Sequence, residues 1–118
     1  MFNYLIMRTL FIVSGNGLKS EFWDKHFESL DVDRICMFSS VEVCQANMKQ
    51  DPVAVIVDDY FTPDKHQEEQ FNSLLNTGTA VIHLSPKHAA SNTDSGSLLK
   101  RNFSTELIDD VERLLATA

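Results

Sequence analysis

Residues 53–57 read Val53-Ala54-Val55-Ile56-Val57, an unbroken apolar run dominated by β-branched residues and closed by Asp58-Asp59. A strand that is apolar at every position has no polar face to turn to water, so both of its faces must be covered. That is the demand of a central strand in a parallel sheet. The coverings must be helices, and they must lie on both sides of the run in sequence.

The rest of the chain supplies them. Arg8 to Val13 reads as a buried strand that ends at Ser14-Gly15-Asn16-Gly17. Phe22, Trp23, Phe27 and Leu30 recur at helical spacing, which predicts a helix over Lys19 to Leu30. Arg34 to Phe38 is a second strand. Ser39 or Ser40 then caps a short helix running through Met48. After the central strand, Thr62-Pro63 marks a helix start, Phe71, Leu74 and Leu75 give its apolar face, and Gly78 ends it. Thr79 to Leu84 is a fourth strand, and Leu98-Leu99 begin a short fifth. Leu107, Ile108, Val111, Leu114 and Leu115 make a strongly amphipathic last helix.

Five strands alternating with helices, joined by right-handed crossovers, predict a doubly wound, flavodoxin-like α/β fold of strand order 2-1-3-4-5. The 118 residues fit one domain spanning 1–118, with residues 1–6 a dispensable extension if Met7 is the start. One stretch breaks the pattern. Lys87 to Ser97 is rich in Ser, Asn, Asp and Gly and has no apolar period, so the fourth helix is expected to be reduced to one turn at Lys87 to Ala90 or absent. Without that helix, Val81, Leu84, Leu98 and Leu99 should be partly bare. They form a candidate patch for a twofold homodimer.

The run Val55-Ile56-Val57-Asp58-Asp59-Tyr60-Phe61-Thr62-Pro63 resembles the third-strand motif of response-regulator receiver domains, and the resemblance covers nearly the whole chain. It implies that Asp59, four residues before Pro63, takes the place of the phosphoacceptor aspartate. Ser85 then matches the Ser/Thr that ends the family's fourth strand, and Lys100 or Arg101 matches its fifth-strand lysine. Asp58, Asp59, Ser85, Lys100 and Arg101 are thus the candidate, vestigial phosphoacceptor site. The family's acidic pair after the first strand is replaced by Ser14 and Gly15, or by Gly15 and Asn16 if the register shifts by one, and neither choice supplies a carboxylate. Mg²⁺ is normally held by carboxylates together with water and phosphate, and phosphoryl transfer needs that cation. Asp58 is expected to be a poor substitute ligand, since neighbouring strand residues point to opposite faces.

The sequence therefore predicts a receiver-like domain that signals through protein contact, without catalysis, metal or cofactor. An alternative reading makes it a working phosphoacceptor at Asp59. A second makes it a small-ligand or nucleotide sensor built on Gly15-Asn16-Gly17-Leu18-Lys19-Ser20, although that loop matches neither common phosphate-binding spacing. A formal net charge of −7 opposes nucleic-acid binding. No apolar run approaches a membrane span, and the apolar opening has no basic flank or cleavage site, so a cytoplasmic protein is expected. Cys36 and Cys44 belong to no CxxC and are expected to be reduced thiols. His26, His66, His83 and His88 lack ligand spacing.

Overall fold

The computed structural model describes residues 7–14, 20–58, 65–85, 93–102 and 106–117. Its strands are β1 (Thr9–Val13), β2 (Arg34–Phe38), β3 (Ala54–Val57), β4 (Ala80–Leu84), β5 (Thr93–Ser95) and β6 (Leu98–Arg101). The parallel strands stand in the order β2-β1-β3-β4-β6, which is the expected doubly wound arrangement. β3 lies at its centre, and all four of its residues are fully buried.

Two-residue alternation divides the sheet between two apolar layers. Leu10, Ile12, Ala54, Ile56, Ile82, Leu84 and Leu99 meet helix α1 (Ser20–His26), the turn after it and helix α4 (Glu106–Ala116) through Trp23, Phe27, Leu107, Val111 and Leu115. Phe11, Val13, Val55, Val57 and Val81 meet α2 (Val41–Ala46) and α3 (Lys65–Leu75) through Val41, Cys44 and Leu74. α2 is capped by Ser40, whose hydroxyl oxygen accepts from the Val43 N–H at 3.2 Å. A 3₁₀ turn, Met48–Gln50, follows it. Beyond α3 the chain passes through Gly78 at φ 83°, a backbone setting that suits glycine.

Three expectations need correction. The helix predicted over Lys19 to Leu30 is regular only from Ser20 to His26, and turn hydrogen bonds then continue to Leu30. Trp23 and Phe27 are buried, whereas Phe22 is 38% exposed. Successive helical residues lie about 100° apart, so Phe22 and Trp23 cannot share one narrow stripe.

The stretch Lys87 to Ser97, read as a loop, contains a strand in its described part. β5 folds back antiparallel on β6, with Ser95 opposite Leu98, through a two-residue turn whose Gly96 has φ 60°. The described residues hold no helix between β4 and β6.

Finally, Val81, Leu84, Leu98 and Leu99 do not form a bare patch. Val81 is fully buried, Leu84 and Leu99 are 2% and 8% exposed, and Leu98 is half-buried. The two sheet faces explain this. Leu84 and Leu99 turn toward the α1/α4 layer, while Val81 and Leu98 pack with Leu74, Phe71 and Leu75 of α3.

Candidate functional site

Three backbone hydrogen bonds carry the parallel ladders one residue past the strand ends. Ser14 N–H donates to the Phe38 carbonyl at 3.0 Å, Asp58 N–H to the Val13 carbonyl at 3.1 Å, and Ser85 N–H to the Arg101 carbonyl at 2.9 Å. Ser14, Asp58 and Ser85 are therefore fixed at the carboxyl edge of the sheet, and Ser14 and Asp58 lie where the strand order reverses, the place where ligands of doubly wound folds sit.

Alternation decides which of these side chains meet. Leu10, Ile12 and then Ser14 follow one face of β1; Ala54, Ile56 and then Asp58 follow the same face of β3. The Ser14 hydroxyl accordingly donates to Asp58 Oδ2, and Asp58 is only 5% exposed. The carboxylate that reaches the end of β1 is thus Asp58. The β1–β3 register sets Ser14 beside Asp58. Asp59 and Gly15 lie outside the described residues. Ser85 is 3% exposed, and the alternation of β4 puts it on the side of Val81 and His83.

The two basic candidates also part company. Lys100 is exposed. Arg101 follows Leu99 onto the α4 side and is 3% exposed. Its guanidinium forms a bidentate pair with Asp110 of α4, Nε to Oδ2 at 2.5 Å and Nη2 to Oδ1 at 3.2 Å, while Nη1 donates to the Lys100 carbonyl at 2.9 Å. Arg113 adds a second guanidinium on Asp110 Oδ1 at 3.0 Å. Asp110 went unnoticed in the sequence, although it sits three residues after Leu107 and next to Val111, on the buried stripe of its helix. That position was the available signal, because a carboxylate on such a stripe needs a cation from the sheet.

Two titratable groups away from this edge are displaced by burial alone: the Cys44 thiol is pushed up to about 12, and His26 is lowered. Among the described residues, no group of three or more His, Cys, Asp or Glu could hold a metal ion, and no helix is long and apolar enough to cross a membrane.

The fold and this edge define a doubly wound α/β domain with a serine–carboxylate pair at its topological switch point. No protein-family model, curated protein or solved structure matches the chain.

Proposed function

We propose that this chain is a receiver-like signalling module of the cytoplasm that acts by binding protein, without catalysis or phosphorylation. The observation that carries the reading is one contact of Asp58. A hydroxyl, Ser14 Oγ, stands where metal-dependent phosphoryl transfer calls for a second carboxylate. A hydroxyl adds no negative charge, so it does little to draw Mg²⁺ to the strand end.

The placement of the positive charge supports the same reading. Arg101 is paired with Asp110 of α4, and Lys100 is exposed, so the buried cation of the fifth parallel strand is turned to the last helix. A net charge of −7 favours a protein partner over a nucleic acid.

The test is a Mg²⁺ titration into the millimolar range, followed by backbone amide shifts and by the fluorescence of Trp23. The wild type should show no saturable change at Asp58. Ser14→Asp, which adds the missing carboxylate, should bind Mg²⁺ measurably. Saturable binding by the wild type at Asp58 would overturn the reading.

A further inference from the structure

The two edges of the sheet are unlike. β5 closes one edge with three polar residues, Thr93-Asp94-Ser95. β2 forms the other and is five residues long; after Arg34 it runs Ile35-Cys36-Met37-Phe38 without a charge or a proline. Soluble proteins usually protect such an edge with charges, prolines or bulges, because its open N–H and C=O groups template further strands.

The ladder shows which groups are open. Arg34 N–H donates to the Arg8 carbonyl at 3.3 Å, and the Phe38 carbonyl accepts from Ser14 N–H at 3.0 Å. Even-numbered residues of β2 therefore serve β1, and the N–H and C=O of Ile35 and Met37 point outward, where no described residue pairs with them. The side chains of β2 are half-buried from Ile35 to Phe38. Ile35 and Met37 pack on the α1/α4 layer, Cys36 and Phe38 on the α2/α3 layer.

We propose that this edge binds a second copy of the chain, β2 against β2, antiparallel about a twofold axis through Cys36. The strand is self-complementary in that register. Ile35 and the partner's Met37 exchange both of their outward hydrogen bonds, and symmetry repeats the exchange on the other side of Cys36. An axis at Ile35 or Met37 leaves part of the strand unpaired, whereas the axis at Cys36 overlaps all five residues. Charge agrees with the overlap: Arg34 faces the ring of the partner's Phe38, a cation against an aromatic, and no like charges meet within the strand. Both apolar layers then run on across the axis. The proposal does not depend on the chemistry of Asp58.

This register places the two copies of Cys36 as a non-hydrogen-bonded pair with Cα atoms about 4.5 Å apart, inside the roughly 4.4–6.8 Å range that a disulfide spans. Cys36 is partly exposed, while Cys44 is buried with its thiol pushed up to about 12, so Cys36 is the reactive thiol.

Sedimentation equilibrium of the wild type should give twice the 13.4 kDa chain mass. Oxidation with diamide, which takes up the two thiol hydrogens, should yield a covalent dimer linked through Cys36. Cys36→Ser should abolish that link and keep the non-covalent dimer. Met37→Pro removes an outward N–H that β1 does not use, so it should give a monomer with an unchanged circular dichroism spectrum; should it misfold, Met37→Lys is the second probe, with the same expected result. A wild-type monomer at high micromolar concentration overturns the proposal and leaves the edge to a strand from another protein. A dimer that persists in the folded Met37 variants overturns it as well and moves the interface elsewhere.

Discussion

Asp58 and Asp110 are carboxylates of nearly equal burial, 5% and 6% exposed, in very different company. Asp110 lies on α4 and is gripped by the guanidiniums of Arg101 and Arg113. Asp58 lies at the end of β3 and accepts from the hydroxyl of Ser14. Burying a charge is tolerable when an opposite charge with good geometry is buried beside it, and a bidentate guanidinium supplies that geometry. The sheet's buried arginine is thereby committed to fastening the last helix. One carboxylate is a structural clamp, and the other sits at the carboxyl edge of the sheet.

The sharpest way to break this contrast is to remove the clamp. Asp110→Ala leaves the Arg101 guanidinium buried without its carboxylate, which should cost about 3–5 kcal/mol. Urea unfolding would read the loss as a lower midpoint at an unchanged slope. A loss below ~1 kcal/mol would mean that the pair is not fastening α4.

A smaller loss is expected at the other carboxylate. Ser14→Ala removes the hydroxyl donor and should cost about 1.5 kcal/mol, the low end for a hydrogen bond to a charged group. A loss as large as that of Asp110→Ala would erase the distinction between the two sites.

The smallest effect belongs to Arg113, whose side chain is 61% exposed. Arg113→Ala should cost less than ~1 kcal/mol, as exposed ion pairs do. A larger loss would show that both guanidiniums, and not Arg101 alone, hold Asp110.

Much of the architecture was legible because it follows from periodicity. The apolar run at 53–57 demanded cover on both faces, and the helices around it gave the strand order. What was misread depends on which face a side chain takes. The Ser14–Asp58 contact was also open to reading, since Ile12, Ser14, Ile56 and Asp58 share one parity across the β1–β3 register. Arg101 was assigned to the crevice, although Leu99 two residues earlier faces α4. The patch at Val81, Leu84, Leu98 and Leu99 was inferred as if one missing helix bared one face; these residues divide between two faces, each with its own helices. Gly96 lies in a stretch too polar to show an apolar period, so periodicity alone does not reveal its two-residue hairpin.

The central claim is that neither Asp58 nor Asp59, the carboxylates that close the third strand in sequence, accepts phosphate. Intact-mass measurement of the wild type after incubation with acetyl phosphate and Mg²⁺ tests it most directly. The expected result is an unchanged mass; a phosphate adduct that disappears in Asp58→Asn or in Asp59→Asn would contradict the account and make the chain a working phosphoacceptor.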